Sequence, residues 1–571
     1  MRMPRTVCAG LAALVMLAAA PTRDVAPAGG AEPVDLDLVH RIKEEAFERS
    51  QVMDHLFALT DVNGPRLTGS PGFRAAADWA VGRLKGWKLA DPRLEPWGPF
   101  GHGWSVTKFS CSLVAPSYAA LHAVPRAFCA GTGGPIEGEV IAAPVFGETE
   151  EEGIRFNLKR LAARVDEYAA QQKGKLRGRF VMIDPARKLA VPMEPPAERL
   201  TDAQLENLMQ APDPMAIPPF TWPLDSLPAD RKEREAFTAT IPGEVTSDFN
   251  MRRLALFDRL NAFLRDEGVL GVLTSDRRGS GGIVFAERAG GWALKTPPAP
   301  PTVVLVSEAY NRINRLLEHD VPVKIAMDLE TRIDDSSPDG VNVIAEIPGG
   351  RRRDEVVMLG AHLDSWHGGT GATDNAAGCA VALEAVRIIK ALGITPGRTV
   401  RLALWSGEEQ GLLGSRGYVR NHFGDPITMK LLPEHARLSG YFNLDNGTGR
   451  VRGVYLQGND AMRPIFTAWL EPFRDLGVTT VTIRNTFGTD HKSFDAVGLP
   501  GFQFIQDPID YESRTHHSDL DVADRIQPGD LMQASAVMAA CVLDAANRPA
   551  MLPRKPLPKP LPPKRDEAAR P

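Results

Sequence analysis

Three apolar runs of strand length end in side chains that bind metals or move protons. Val356-Val357-Met358-Leu359-Gly360-Ala361 runs into His362-Leu363-Asp364, Leu402-Ala403-Leu404-Trp405 into Ser406-Gly407-Glu408-Glu409, and Tyr441-Phe442-Asn443-Leu444 into Asp445. Between the first two lies Gly371-Ala372-Thr373-Asp374-Asn375-Ala376-Ala377-Gly378, with Asp374 at a predicted helix start. A fifth group, Thr515-His516-His517-Ser518-Asp519-Leu520-Asp521, follows the apolar run at Phe502. In open α/β sheets the ligand site lies beyond the carboxyl ends of the strands, which gathers these side chains at one crevice. Carboxylates and imidazoles crowded out of water repel and desolvate one another unless a cation neutralises them. Histidine nitrogen with carboxylate oxygen suits Zn²⁺, and two donor sets sharing one aspartate suit a pair of ions about 3.5–4 Å apart. Zinc lowers the pKa of a bound water to about 7, and of two adjacent glutamates one can ligate while the other takes that proton. The chemistry is that of a hydrolase centre. Taken singly, each residue has a plainer reading: Asp374 as a helix cap, Glu408-Glu409 as a solvated turn, Asp445 before Asn446-Gly447 as a turn residue. Only their joint placement selects the metal.

The elements that must carry these groups follow from periodicity. From Val341 onward, strand-length runs (Val341 to Ile347, Glu355 to Gly360, Thr399 to Trp405, Gly440 to Leu444, Val454 to Gln457, Phe502 to Ile505) alternate with helical segments such as Ala376 to Leu392 and a last helix from about Pro528 to Leu543. That alternation predicts an α/β domain with a mostly parallel (mixed) central sheet covered by helices. Residues 36–105 read as helices belonging to the same domain, with a Gly69-Ser70-Pro71-Gly72 turn among them. Residues 106–305 change texture, mixing short β-rich runs with helical patterns and two proline-rich passages, Pro212 to Pro228 and Thr296 to Thr302; they predict a β-rich insert. Residues 306–549 complete the main domain, and the Pro/Lys-rich residues 550–571 predict a disordered, solvated tail.

Composition bounds the function. The chain has 571 residues, 43% hydrophobic and 24% charged, with a net charge of −5. Both ends are basic, which leaves the body acidic and excludes binding of nucleic acid by neutralising phosphates. Arg2 and Arg5 precede the apolar run Val7 to Ala20, and Ala18-Ala19-Ala20 offers a small-residue cleavage site, so residues 1–31 predict a signal peptide and an exported (periplasmic or secreted) protein. The run is too short for a membrane span, which needs about 20 residues, and no later stretch provides one. Export permits disulfides, with Cys111 and Cys129 the local candidates.

Residues about 340 to 545 resemble the M28 family of di-zinc metallopeptidases. The motifs are Gly360-Ala361-His362-Leu363-Asp364, Thr373-Asp374-Asn375-Ala376-Ala377-Gly378, Gly407-Glu408-Glu409-Gln410-Gly411, Asn443-Leu444-Asp445, and His517-Ser518 with Asp521. The resemblance implies two Zn²⁺ ions: His362 and Asp445 on one, Glu409 and His517 on the other, Asp374 bridging, and Glu408 as general base. It implies Asp364 and Asp521 as outer carboxylates that hold the rings of His362 and His517. His516 competes with His517 as ligand, or faces the oxyanion. Thr60 to Ser70 resembles the opening of secreted members, Gly488 to Phe494 a pocket-lining stretch, and the insert a protease-associated domain enlarged around 190 to 250. The implied function is an exopeptidase acting on small peptides, of aminopeptidase or dipeptidase/carboxypeptidase type, with a homodimer as an open expectation. The alternatives are a receptor-like binding protein on the same scaffold and glutaminyl-cyclase-like acyl transfer.

Overall fold

The computed structural model describes residues 32–147, 151–212, 214, 220–486, 488–562 and 564; the expected signal peptide lies outside them. The apolar runs of the C-terminal half form one eight-stranded mixed sheet, in the order Ala90–Pro99, Asp339–Ile347, Arg398–Trp405, Arg352–His362, Leu438–Asn443, Gly501–Gln506, Val451–Tyr455, Thr480–Thr482. Its four central strands, from Arg398–Trp405 to Gly501–Gln506, are parallel, and the pairings on either side of them are antiparallel. These central strands are buried on both faces, which is why they read as continuous apolar runs. One face carries the helices Ala377–Ala391 and Pro528–Asn547, whose many alanines allow close packing, together with Leu36–Glu48 and Pro71–Gly86. The Gly69-to-Gly72 turn starts the last of these: Ser70 accepts a hydrogen bond from the Phe73 amide at 3.2 Å, and Pro71 occupies the first turn.

The inserted region forms a second eight-stranded sheet, in the order Ala119–Ala120, Gly103–Ala115, Lys324–Asp334, Ile136–Ala142, Phe180–Met182, Gly271–Thr274, Thr302–Leu305, Ala123–Pro125. Its extent differs from the expected 106–305. The strand Lys324–Asp334 pairs along the length of Gly103–Ala115, so residues 306–334 belong to the insert. The proline-rich passage before Thr302 leads into a strand of this sheet instead of ending it. The insert is also less purely β than expected, carrying the helices Leu158–Gln172, Gly243–Glu267 and Ser307–Glu318. Its main core includes Leu67 and Trp366 from the first domain, so the two domains share buried apolar surface.

The described part of the C-terminal segment is not the solvated tail expected from its composition. Leu552 is buried in the main core, Arg554 donates to the carbonyls of His435 (2.9 Å) and Leu438 (2.7 Å), and Lys555 pairs with Asp495 at 2.5 Å. Proline suits this extended packing because the segment needs few backbone amides. Cys111 and Cys129, the candidate disulfide pair, are both buried free thiols, and Cys129 points at the Thr302 carbonyl.

Candidate metal centre

The strand ends deliver their side chains to one place. His362 closes its strand beside Trp405, and Asp445 lies two residues past Asn443, whose strand pairs with Gly360. Gly407, at φ +66°, reverses the chain after Trp405. The Glu408 and Glu409 amides then donate to the two oxygens of Asp364, both at 3.3 Å. Asp374 occupies the turn just before the helix Ala377–Ala391.

Two donor sets converge on Asp374. His362 Nε2 lies 3.2 Å from Asp374 Oδ1 and 3.5 Å from Asp445 Oδ2; His517 Nε2 lies 3.2 Å from Asp374 Oδ2 and 3.1 Å from Glu409 Oε2. His516 Nε2 is farther from Asp374 Oδ2, at 3.8 Å, and its ring stacks on Tyr511 with centroids 4.7 Å apart. Of the two adjacent histidines, His517 is therefore the one aimed between the carboxylates. Asp374 Oδ2 and Glu409 Oε1 are buried and accept no hydrogen bond. Orphaned buried carboxylate oxygens, in a cluster whose carboxylates meet imidazole nitrogens at spacings of 3.1–3.5 Å, fit a divalent cation.

The electrostatics show the same crowding. Burial, with Asp374 beside it, pushes Glu409 up to about 8; burial also drives Glu408 well above the usual carboxylate range, with Asp445 and Asp490 adding to the push. Asp490 is raised to about 7, chiefly by burial. Burial alone would raise Asp374 and depress both imidazoles, yet His362 and His517 hold Asp374 well down, while Asp445 and Glu409 hold the imidazoles well up. His516 behaves oppositely, pushed to about 4 by burial and by His517. Raised carboxylates packed against raised imidazoles are the crowding that a divalent cation relieves.

The outer contacts depart from expectation. His362 Nδ1 meets the backbone carbonyl of Asp364 at 3.0 Å and its carboxylate only at 3.6 Å. The Asp364 carboxylate instead accepts from Thr68 Oγ1 at 2.8 Å and from the glutamate amides. Asp521 does not hold His517: its oxygens accept the amides of Thr373 (2.5 Å) and Asp374 (3.2 Å), fixing the bridging turn. The His517 ring is held by Glu287 of the insert, at 2.9 Å from Nδ1. The reason is backbone geometry. His517 has φ +66°, a strained conformation for a non-glycine residue, and the Ala286 amide holds it by donating to the His517 carbonyl at 3.0 Å. That contact lays Glu287 against the ring.

Sequence reasoning missed Glu287, which no spacing could reveal because it lies 230 positions from its partner. It also missed Arg66, fully buried and donating to the carbonyls of Leu363, Leu59, Thr370 and Gly371 at 2.7–2.8 Å, so that it ties the loops after His362 together. Both Arg66 and Thr68 lie inside the Thr60-to-Ser70 motif, which was the available signal.

The enlarged part of the insert forms a roof over loops at the carboxyl ends of the strands. Glu198 pairs with Ile509, and Asp507 is gripped by Arg199 and Arg452, each at 2.9 Å. Lys492 donates to the Thr238 carbonyl at 3.0 Å, and Glu244 pairs with Arg416 at 3.0 Å.

Residues 342–542, which contain the central strands and all of these donors, match the sequence profile of Peptidase family M28. They are an M28 peptidase domain. Carboxypeptidase Q of Homo sapiens is 31% identical over 257 residues, covering 45% of this chain and 52% of that protein. Leupeptin-inactivating enzyme 1 of Streptomyces exfoliatus is 34% identical over 168 residues, covering 29% of this chain and 35% of that protein. The chain thus spans about half the length, or less, of these curated relatives. A Peptidase M28 precursor from Shewanella amazonensis SB2B shares the fold through both domains, with TM-score 0.59 and 23% identity over 91% of this chain and 98% of that one.

Proposed function

We propose that the protein is an exported di-zinc exopeptidase of small peptides. The observation that carries this reading is Asp374, whose two oxygens each face a different imidazole, with a second carboxylate beside each pair. His362, Asp445 and Asp374 would hold one Zn²⁺, and His517, Glu409 and Asp374 the other. Bound zinc supplies a Lewis acid that polarises the scissile carbonyl and makes water nucleophilic near neutral pH.

The chain's own residues do the rest. Glu408, half-buried and with its amide anchored on Asp364, is the base that takes a proton from the attacking water and returns it to the leaving amine. His516, next to His517 and not among the donors, is proposed to face the developing oxyanion. The contacts of Glu198 with Ile509 and of Glu244 with Arg416, on loops at the carboxyl ends of the strands, support a site restricted to short substrates over folded proteins. The relatives support peptide hydrolysis, since those named above are a carboxypeptidase and an enzyme that inactivates leupeptin. Export rests on the basic and apolar residues at the N-terminus, and no helix among the described residues is long and apolar enough to cross a membrane. The inserted domain is proposed to be protease-associated in type, from its place between the first strand and the rest of the main sheet.

The test is Glu408→Gln. It should keep its zinc, read by elemental analysis, and lose about 10²–10⁴-fold in turnover of dipeptides and longer peptides. Full turnover would remove Glu408 from the role, and a wild-type protein that binds no zinc would remove the metal.

A further inference from the structure

Around Glu287, which holds His517, the insert gathers three arginines without acids to match them. Arg288 follows Glu287, the bridge from Ala127 to Arg288 brings Arg126 alongside, and the helix that carries Arg253 meets the same stretch where Asp258 accepts the Gly291 amide. Arg288 is stacked over Trp292 at 5.6 Å from the ring centroid. Arg253, from the helix Gly243–Glu267, lies 4.9 Å from the Phe156 centroid, with Arg234 at 3.7 Å from the same ring. Arg126 follows the strand Ala123–Pro125. Among the described residues, none of Arg126, Arg253 and Arg288 has a carboxylate within 4.0 Å, and no guanidinium nitrogen of the three donates a hydrogen bond.

The nearby acids are already committed. Glu287 serves His517 and Arg278, Glu409 faces His517, and Asp258 accepts the Gly291 amide at 2.9 Å. The three cations instead sense one another: burial and the neighbouring Arg288 and Arg155 press Arg253 down to about 9, and Arg126 adds to the burial that lowers Arg288. Aromatic faces steady guanidiniums but do not neutralise them. Half-buried cations held together in this way need an anion, and the three remain partly open to solvent, from which one can arrive. A planar guanidinium fork matches a carboxylate with two parallel hydrogen bonds.

We propose that Arg126, Arg253 and Arg288 form the pocket that takes the free C-terminal carboxylate of a short peptide, on the Glu409–His517 side of the centre. This rests on the peptidase reading and deepens it, since it assigns terminus recognition to the insert and not to the M28 domain.

The experiment compares four dipeptide substrates, with free or amidated C-terminus and neutral or acidic C-terminal side chain, on the zinc-loaded full chain. Wild type should prefer the free acids. Arg253→Gln and Arg288→Gln should raise KM for free acids about ten- to hundredfold, with kcat largely kept, zinc content unchanged and no change on the neutral amide. Arg253→Lys should recover part of the loss. Titrating the neutral free-acid dipeptide into Glu408→Gln by calorimetry, with and without Arg253→Gln, should show the same loss without turnover; Arg126→Gln serves if Arg288→Gln does not fold. Equal cleavage of acid and amide by wild type, or unaltered KM in the variants, overturns the pocket while leaving the peptidase reading intact. A preference that follows the acidic side chain even in the amide overturns the C-terminal assignment. A wild-type protein that cleaves none of the four overturns both.

Discussion

The two imidazoles of the centre are positioned by different kinds of structure. His362 stands at the end of a central strand, its neighbours fixed by parallel register on both sides, and its far nitrogen is met by a carbonyl only two residues away. His517 sits in a loop with a strained backbone, and both its carbonyl and its ring are held by Ala286 and Glu287 of another domain. The donors are thus supplied by local sequence, whereas the orientation of one of them depends on a domain that contributes no donor. A site can be complete in its ligands and still be incomplete without its neighbour.

The most damaging change to this arrangement is at the residue both halves share. Asp374→Ala removes an oxygen from each donor set, so both zinc equivalents should be lost on dialysis and peptide hydrolysis should fall to background. Elemental analysis checks it. A variant that keeps two ions would mean the halves are independent, and the comparison would lose its common element.

Glu287→Gln tests the asymmetry directly. Outer partners of metal-bound histidines are worth about 10–100-fold in metal affinity or activity. Because the Glu287 carboxylate contacts His517 and Arg278 but none of the other donors, one zinc should become that much easier to chelate while the other is unaffected. Chelator titration with a two-site readout separates the outcomes, and equal weakening of both ions would show that the insert supports the centre as a whole.

The same asymmetry explains what was legible in the sequence. His362, Asp364, Glu408, Glu409 and Asp445 follow apolar runs, and a side chain at the end of a buried strand points where the strand ends. The central strands were legible for the same reason, since burial on both faces writes itself as an uninterrupted apolar run. Glu287 was illegible because its partner is chosen by the docking of two domains, not by periodicity. The insert's boundary at Asp334 was missed because a strand pairing with Gly103–Ala115 has no marker for where its partner begins. Leu552 was missed because proline-rich composition signals extended backbone equally for a free tail and for one laid against a core.

The roof is predicted to depend on Asp507, a fully buried carboxylate between Arg199 and Arg452. Asp507→Ala takes the close carboxylate from Arg452, while Arg199 keeps Asp530 at 2.8 Å, so the loss should stay at or below the about 3–5 kcal/mol that breaking a fully buried ion pair from one side costs. Urea unfolding should show that loss, and limited proteolysis should open the passage around residues 196–212. Protection unchanged there would mean that backbone pairing of Glu198 with Ile509 holds the roof unaided.

The smallest effect is expected where the roof meets the site through an exposed pair. Arg231 bonds Glu512 at 2.7 Å and Glu235 at 2.6 Å, but its side chain is 54% exposed and so is that of Glu512. Such pairs contribute about 0–1 kcal/mol. Arg231 also lies in the first turn of the helix Arg231–Thr240, where the helix dipole disfavours a cation by a few tenths of a kcal/mol or more, which offsets part of the gain. Arg231→Ala should therefore shift urea stability by less than about 0.5 kcal/mol, and that shift should vanish in about 1 M salt, where screening acts within about 3 Å. A larger, salt-independent loss would mean that the roof leans on this contact as the metal centre leans on Glu287.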